Sequence, residues 1–201
     1  MSQLSDLDQE ILVCQRCILA KSRTNAVPGE GPEDAAMMFI GEGPGFHEDR
    51  QGRPFVGAAG QYLDELLDRI GLRRANVYIA NVIKCRPPAN RDPGPEEVEA
   101  CRPYLDRQIE LIRPRLVITL GRFSMARYFP GASISRIHGQ PKRMGSVIYY
   151  PMFHPAAALH QPKWRAVVDE DFARIPELLA RLQDVNEDKP EPPQAEQLSL
   201  F

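Results

Sequence analysis

Four short apolar runs along the chain predict the strands of a sheet. They cover residues 35–41, 76–83, 115–121 and 146–153, and Gly, Pro or Asn bounds each of them. Short runs that are almost continuously apolar are typical of strands whose two faces are both buried. We therefore predict four buried strands.

Between these runs, apolar residues recur at helical spacing. In residues 60–72 leucine and isoleucine recur every three or four positions, and Gly71 supplies a stop at the carboxyl end. A second helix is predicted over residues 95–114, where Pro103 is expected to kink or split it. Two further helices are predicted over residues 122–129 and 167–182.

The alternation of strands and helices indicates an α/β fold, with three layers (α/β/α) around a four-stranded, mostly parallel sheet. Ligands of such sheets bind beyond the carboxyl ends of the strands. The unusual residues follow this rule, because GEGPG (41–45) ends the first strand, Asn81 lies late in the second, Gly121 closes the third and HPAAAL (154–159) follows the fourth. Segments that are far apart in sequence are therefore expected to converge on one crevice.

Composition divides the chain into one domain and a tail. Residues 1–183 are predicted to form the domain, and 43% of the chain is hydrophobic, so this domain can bury a core without disulfides. Residues 184–201 are acidic and proline-rich, which predicts a disordered tether. No basic start precedes an apolar run and no stretch approaches eighteen apolar residues, so we expect no signal peptide, no membrane span and a soluble, cytoplasmic monomer.

The net charge of −2 hides an uneven distribution. Residues 1–13 contribute −3 and residues 183–201 contribute −4, which leaves +5 on residues 14–182. Lys84 and several arginines fall near the predicted loops, as a surface that follows phosphates requires. For any single one of these residues, an ordinary solvated surface is an equal alternative.

The cysteines suggest a metal centre. In a reducing compartment, four cysteines that include a C-x-x-C pair are more typical of metal ligands than of disulfides. Spacing alone does not separate zinc from a 4Fe-4S cluster and places zinc somewhat ahead, and small buried residues are a third possibility. Either centre would tie the N-terminal segment to the loop after the second strand and to the second helix. The four residues are Cys14, Cys17, Cys85 and Cys101.

Four longer motifs occur in order between Cys14 and the last helix: GEGPGFHEDRQGRPFVGAAG, NVIKCRPPANRDP, CRPYLDRQIELIRPRLVITLG and PMFHPAAAL. Together they resemble the family 4 uracil-DNA glycosylases, the iron-sulfur branch of the uracil-DNA glycosylase superfamily. The resemblance implies a hydrolase of base excision repair, which breaks the N-glycosidic bond of deoxyuridine in DNA, releases uracil and leaves an abasic site. It also implies a 4Fe-4S cluster, in place of zinc, on the four cysteines.

The resemblance assigns three side chains to the uracil. Because the bond cannot be reached inside a duplex, such an enzyme extrudes the nucleotide into a pocket. Phe55 would be the ring platform, Asn81 would read the base edge, and His154 would donate to O2 of the departing uracil. The Asn81 amide can donate to O4 and accept from N3–H, whereas cytosine presents the opposite pattern. Without the resemblance, ordinary structural roles are the better interpretation of all three residues.

Two carboxylates compete for the role of orienting the attacking water. Glu42 is the first candidate, and its neighbours Gly41 and Gly43 would let the backbone approach the base closely. Glu48 is the rival, either for the same role or as a gate against the methyl group of thymine. The sequence does not separate the two carboxylates.

Contacts to the DNA are expected around the third cysteine. Asn90 is predicted to contact the substrate, and the cluster is predicted to shape this DNA-binding loop without taking part in excision. Four basic residues are predicted to bind phosphates: Arg86, Arg91, Lys142 and Arg143.

His138 supports an alternative function. It lies in ISRIHGQP, where a sibling group that becomes covalently trapped on its abasic product also has a histidine. The alternative is therefore a protein that binds uracil-containing or abasic DNA in a stable or covalent complex through His138. The first motif, GEGPG, is not the altered form of that group and favours the hydrolase.

The last five residues, QLSLF, resemble the peptide by which bacterial DNA-processing proteins bind the replication sliding clamp. A short apolar peptide on a polar tether suits side chains that a partner buries, although an undistinguished tail is the alternative. The residues expected to contact the clamp are Gln197, Leu198, Leu200 and Phe201.

Overall fold

A five-stranded sheet forms the middle layer of the structure, a computed structural model that describes residues 2–187 and the side chains up to residue 181. The strands are β1 (Met37–Gly41), β2 (Tyr78–Asn81), β3 (Leu116–Leu120), β4 (Lys142–Met144) and β5 (Val147–Met152). Their spatial order is β2-β1-β3-β5-β4; the first four in this order are mutually parallel, and β4 pairs antiparallel with β5. The predicted α/β class and the four predicted strands are confirmed.

The fifth strand is a correction to the predicted count of four. Strand β4 has three residues, and the first two, Lys142 and Arg143, are exposed, so no apolar run announces it. A tight turn at Gly145 (φ 63°) lets the strand fold back on β5. Short, charged edge strands of this kind cap a sheet against further pairing.

Helices cover both faces of the sheet. The helices are α1 (Gln3–Leu12), α2 (Phe46–Gln51), α3 (Ala58–Arg69), α4 (Pro95–Ile112), α5 (Arg122–Ala126), α6 (Ile134–Ile137), α7 (Pro155–His160), α8 (Lys163–Ala173) and α9 (Ile175–Glu187). Alternate residues of β1 point to opposite sides of the sheet. Phe39 packs in the core beneath α3, α8 and α9, and Met38 and Ile40 pack in the core beneath α1 and α4. This period of two confirms the three-layer arrangement.

Helix α4 runs through Pro103 without a break, so the predicted split is wrong. Proline in a helix interior removes one hydrogen bond and costs about 3 kcal/mol. Pro103 is exposed, while Tyr104 and Leu105 on the other side of the helix are buried in the core. Tertiary packing of the buried face therefore outweighs the local cost.

The last predicted helix also differs from the prediction. The helix predicted over 167–182 is two helices, α8 and α9, and Pro176 lies in the first turn of α9, where its missing N–H is not needed. Helix α9 continues to Glu187, past the predicted domain boundary at 183. The predicted clamp-binding residues Gln197, Leu198, Leu200 and Phe201 lie outside the described residues. No helix among residues 2–187 combines the length and the apolar character that crossing a membrane requires.

Candidate active site

A cavity of about 400 Å³ opens beyond the carboxyl ends of the parallel strands. Its walls include Glu42, Phe55, Asn81 and His154. Strands β1 and β2 end level with each other, since Gly41 pairs with Asn81. The structure therefore brings the predicted ring, amide and imidazole together around one space.

Gly41 leaves room for two of these groups to meet. A Cβ built at this position would lie 2.4 Å from Asn81 Oδ1 and 2.6 Å from Phe55 Cζ, closer than real Cβ atoms approach their neighbours. The amide and the ring thus converge over the end of β1, in space that any other residue would fill.

The Asn81 side chain is buried with part of its hydrogen-bonding capacity unused. Asn81 is only 2% exposed, and Oδ1 has no hydrogen-bond partner among the described residues. Buried polar groups are normally paired, and an unpaired one costs about 1–3 kcal/mol. An unpaired amide oxygen at the wall of a cavity is suited to a ligand that brings its own N–H donor.

Phe55 is held in a backbone conformation that L-residues rarely adopt. Its φ is 52°, in the left-handed region, and its side chain is buried. Arg74 Nη1 donates to the Phe55 carbonyl at 2.9 Å, and the backbone N–H groups of Val56 and Gly57 each donate to Glu48 Oε1 at 2.8 Å. Strain of this kind costs about 1–3 kcal/mol and persists only where surrounding contacts fix it. The ring is therefore positioned by Arg74, which the sequence analysis missed.

His154 is a neutral hydrogen-bond donor. Its Nδ1 accepts from the Ala156 N–H at 3.2 Å, which leaves the proton on Nε2. Burial lowers the pKa of His154 to about 4, against the opposing effect of Glu48. Its ring stacks with that of Phe55, with 5.5 Å between the centroids. The imidazole is therefore uncharged near pH 7.

Hydrogen bonding distinguishes the two candidate carboxylates. Glu48 accepts from three backbone N–H groups, those of Gly45, Val56 and Gly57, and so both of its oxygens are engaged. The Glu42 carboxylate has no hydrogen-bond partner within residues 2–181. Burial raises the pKa of Glu42 above 4.5, Asp92 adds to this effect, and Arg122 opposes it. Glu42 is thus the carboxylate that remains available to a water molecule.

The residues predicted to contact DNA differ in whether they line the cavity and in whether their charge is already paired. Asn90 and Arg91 line the cavity, but the Arg91 guanidinium pairs with both oxygens of Glu97, at 2.6 and 2.8 Å. Arg86 lies just outside, and its Nε donates to Asn90 Oδ1 at 2.7 Å. Charge pairing weakens the case for Arg91 as a phosphate ligand. Lys142 and Arg143, on the edge strand β4, are not among the described residues that line the cavity.

His138 does not join the cavity walls, as far as the structure describes them. Its Nδ1 is 2.8 Å from Oδ2 of the buried Asp171, and its ring packs against Phe153 with 4.8 Å between centroids. Burial raises the pKa of Asp171, and the hydrogen bond to His138 opposes that shift. These contacts give His138 a role in packing, and they do not support the covalent alternative.

The four cysteines line a second, small cavity, together with Arg23 and Lys84. Arg23 Nη1 lies 3.0 Å from Cys85 Sγ, and the Lys84 backbone N–H donates to Cys101 Sγ at 3.2 Å. Donors and cations around sulfur suit thiolates, which carry negative charge. The donor set therefore fits a metal centre.

Both a zinc ion and a 4Fe-4S cluster take four thiolates as ligands. Within the described side chains, no three His, Cys, Asp or Glu residues are grouped closely enough to hold a metal ion. The shared cavity and the donors around the sulfurs therefore support a metal centre without selecting the metal.

Lys84 was wrongly placed on the surface by the charge analysis. The side chain is 1% exposed, and Nζ donates to the Asn81 carbonyl at 3.0 Å and to Gln108 Oε1 at 2.6 Å. Burial lowers its pKa to about 8. Its place within the apolar run that precedes Cys85 was the only signal in the sequence.

Comparison with known proteins places this arrangement in a family. The family model described as "Uracil DNA glycosylase superfamily" matches residues 28–180. A type-4 uracil-DNA glycosylase of Archaeoglobus fulgidus is 48% identical over 192 residues, which cover 91% of this chain and 96% of that protein. The type-4 enzyme of Sulfurisphaera tokodaii is 47% identical, with 89% and 86% covered, and that of Thermotoga maritima is 43% identical, with 84% and 90% covered. With similarity of this extent over most of the chain, the chain belongs to the uracil-DNA glycosylase superfamily and, within it, to the type-4 group.

Proposed function

We propose that this protein is a monofunctional uracil-DNA glycosylase, which hydrolyses the N-glycosidic bond of deoxyuridine in DNA. The observation that carries the proposal is the single cavity lined by Phe55, Asn81 and His154, in a chain that belongs to this superfamily. A cavity of about 400 Å³ is large enough for one extruded pyrimidine. The unstacking cost of a few kcal/mol is offset by contacts within that cavity.

Asn81 supports recognition of uracil. Its unpaired Oδ1 accepts from uracil N3–H, and its Nδ2 donates to O4. Cytosine would place a ring nitrogen acceptor against Oδ1 and an amino donor against Nδ2, so both groups would remain mispaired. The Phe55 ring supplies the face on which the base stacks.

His154 supports the departure of uracil. As the bond between C1′ and N1 breaks, the bonding electrons move to uracil and negative charge builds on O2. The Nε2–H of the neutral imidazole donates to that oxygen, and one preorganised donor of this kind contributes about 3–4 kcal/mol to the rate. The deoxyribose acquires oxocarbenium character at the same time.

Glu42 supports the attack of water. Its carboxylate orients a water molecule toward C1′ and accepts one proton as the new C–O bond forms. Glu48 has a different role in this proposal, because its hydrogen bonds from the Val56 and Gly57 N–H groups fix the turn that carries Phe55. Glu48 is thus a positioning residue.

We further propose that Cys14, Cys17, Cys85 and Cys101 hold a 4Fe-4S cluster. When bound, the cluster supplies four metal–thiolate links between the N-terminal segment, the loop after β2 and helix α4, and it supplies no group to the excision reaction. The support is the cavity that the four cysteines share and the donors around their sulfurs.

We also propose that the C-terminal QLSLF peptide binds the replication sliding clamp. The support is the sequence alone: a polar glutamine followed by apolar anchors, on an acidic, proline-rich tether. Binding there would deliver the enzyme to newly replicated DNA.

Substitution of Asn81 and His154 tests the proposed function. Wild type should release uracil from a single-stranded oligonucleotide with repeated turnover. Asn81→Asp should lower kcat/KM for uracil by about 10- to 100-fold, because the donor to O4 is lost. His154→Ala should lower kcat by about 100- to 1000-fold. Alkaline cleavage of the abasic product, resolved on a gel, measures both.

The matched control is Asn76→Asp, an exposed residue whose Oδ1 accepts a backbone hydrogen bond that a carboxylate can also accept. It should retain wild-type rates. Unchanged kinetics in both site variants would contradict the assignment of the cavity, and no uracil release by wild type would contradict the function itself.

The pH dependence of excision tests the role of Glu42. The carboxylate must be ionised to accept a proton, and its pKa is raised above 4.5, so kcat/KM should fall as pH falls through that raised pKa. No step is expected near pH 6.5, because His154 is neutral above about pH 4. Glu42→Gln should lower the rate by about 100-fold or more and remove this acid limb.

The control for this profile is Glu110→Gln, an exposed carboxylate on α4 that is 65% exposed. It should retain both the rate and the limb. An acid limb that persists in Glu42→Gln would assign the titrating group to another residue.

Metal analysis of the purified protein tests the cluster. Anaerobically purified wild type should contain about four irons and four sulfides per chain and absorb broadly near 400 nm. Cys85→Ser should lower the iron content and the midpoint of thermal unfolding, because three segments lose their common tie. Ser135→Ala, in the exposed helix α6, should change neither. One zinc per chain with no iron would overturn this assignment.

Deletion of residues 197–201 tests the proposed clamp contact. The truncated protein should lose binding to the bacterial clamp, as measured by surface plasmon resonance, and should retain excision on short oligonucleotides, because the active site lies in another part of the chain. The control is Ser199→Ala, which keeps the four proposed contact residues. Equal clamp binding by the full-length and truncated proteins would exclude the peptide as the docking element.

A further inference from the structure

An exposed aromatic residue adjoins the wall of the base cavity. Phe46 opens helix α2, directly after Gly45 in the cavity wall, and 47% of it is exposed. Neither of the two apolar cores includes Phe46. Packing of the core therefore does not account for an aromatic residue at this place.

Two arginines lie against this ring. The guanidinium of Arg50 lies 5.7 Å from the ring centroid, and that of Arg86 lies 5.2 Å from it. Both distances fall within about 6 Å, the range of cation–π attraction. Arg50 belongs to α2, whereas Arg86 belongs to the loop after β2, so the ring gathers cations from two separate segments.

These two arginines form no ion pair with a carboxylate in the described part of the molecule, in contrast to the nearby Arg91. Within residues 2–181, neither Arg50 nor Arg86 forms an ion pair with a carboxylate, whereas Arg91 pairs with Glu97. Arg86 donates through Nε to Asn90 Oδ1, so its orientation is fixed while both of its Nη groups remain available. Arg50 is exposed, and no side chain in the described part of the molecule accepts from it.

We propose that Phe46, Arg50 and Arg86 form a phosphate-binding patch for the DNA backbone next to the extruded nucleotide. The inference rests on the proposed function and adds two residues, Phe46 and Arg50, to the predicted phosphate contacts. Extrusion places the base inside the cavity, so the flanking phosphates must lie at its mouth, where this patch is. Two unpaired guanidiniums complement that charge, and their planar donor groups suit phosphate oxygens.

Phe46 has a definite task in this patch. A long arginine side chain loses rotamer freedom when it binds, and that loss weakens an exposed contact. A ring that already holds the guanidinium reduces the freedom still to be lost on binding. Phe46 thus preorganises the patch and need not touch the DNA itself.

Neutral backbone linkages test the proposed contact directly. The ligand is a single-stranded oligonucleotide with one 2′-fluorinated deoxyuridine, which resists cleavage because fluorine disfavours positive charge on the sugar. Methylphosphonate replaces one phosphate at a time within two nucleotides of it. At least one replacement should weaken DNA binding by wild type about 10-fold. The same replacement should weaken DNA binding by the Arg50→Gln or the Arg86→Gln variant by less than about 2-fold, because that variant has already lost the contact. Fluorescence anisotropy measures each Kd.

Salt dependence provides an independent readout. The slope of log Kd against log salt should decrease by about 0.7 for each arginine removed, as expected for one phosphate contact on a single strand. Arg73→Gln is the matched control, because Arg73 is an exposed arginine that precedes β2 at the opposite end of the sheet. Its slope should equal that of wild type.

Substitution of Phe46 tests preorganisation. Phe46→Leu keeps an apolar side chain without a π face and should weaken binding about 2- to 5-fold, while Phe46→Tyr should restore wild-type affinity. Fluorescence anisotropy on the same cleavage-resistant oligonucleotide measures both affinities.

The outcomes separate this patch from the proposed function. Identical effects of every neutral linkage on wild type and on both arginine variants would overturn the patch, and so would equal affinity of Phe46→Leu and wild type. Excision of uracil by wild type in the same preparations would leave the glycosylase assignment standing. Absence of excision by wild type would instead contradict the proposed function.

Discussion

The candidate active site depends on one constraint: four neighbouring parallel strands end at the same edge of the sheet. Gly41 pairs with Asn81 across β1 and β2, and Leu120 pairs with Met152 across β3 and β5. Glu42 therefore directly follows β1, and His154 lies two residues beyond the end of β5, at that edge. The register is demanding because a slip of one residue would turn a side chain to the other face of the sheet. The backbone hydrogen bonds between the strands therefore fix the relative positions of segments that are distant in sequence, which loops alone could not do.

One buried amine connects this edge to the cysteine cavity. Lys84 donates through its backbone N–H to Cys101 Sγ and through Nζ to the carbonyl of Asn81. Gln108 of α4 accepts from the same Nζ and donates in turn to the Pro28 carbonyl and the Tyr78 hydroxyl. A buried cation is stable only when polar partners compensate for lost hydration. The cysteine cavity and the strand that carries Asn81 thus share one hydrogen-bonded network.

Periodicity predicted the strands that lie in the core and the convergence of the segments at their carboxyl ends, because buried runs and parallel topology determine both. The meeting of Phe55, Asn81 and His154 was implied by the family resemblance. Periodicity missed β4, whose first two residues are exposed. It also expected a kink or a split at Pro103, where packing keeps helix α4 unsplit. Lys84 was assigned to the surface for a similar reason. A lysine is hydrophilic by residue type, but the sequence does not show the hydrogen-bond acceptors that the fold places around its amine, the Asn81 carbonyl and Gln108 Oε1. Distinguishing the role of Glu42 from that of Glu48 required knowledge of their hydrogen-bond partners, which the spacing of residues in the sequence does not reveal.

The turn that carries Phe55 depends on Glu48, the second of the two candidate carboxylates. A residue at φ 52° would relax if its neighbours allowed it, and the relaxed ring would leave the cavity. Glu48 binds the two N–H groups that follow Phe55, while Arg74 binds its carbonyl, so the turn is held from both sides. Three backbone hydrogen bonds of about 1 kcal/mol each can offset strain of that size. In this arrangement Glu48 shapes the cavity, whereas the Glu42 carboxylate, which has no hydrogen-bond partner within residues 2–181, stays available to a water molecule.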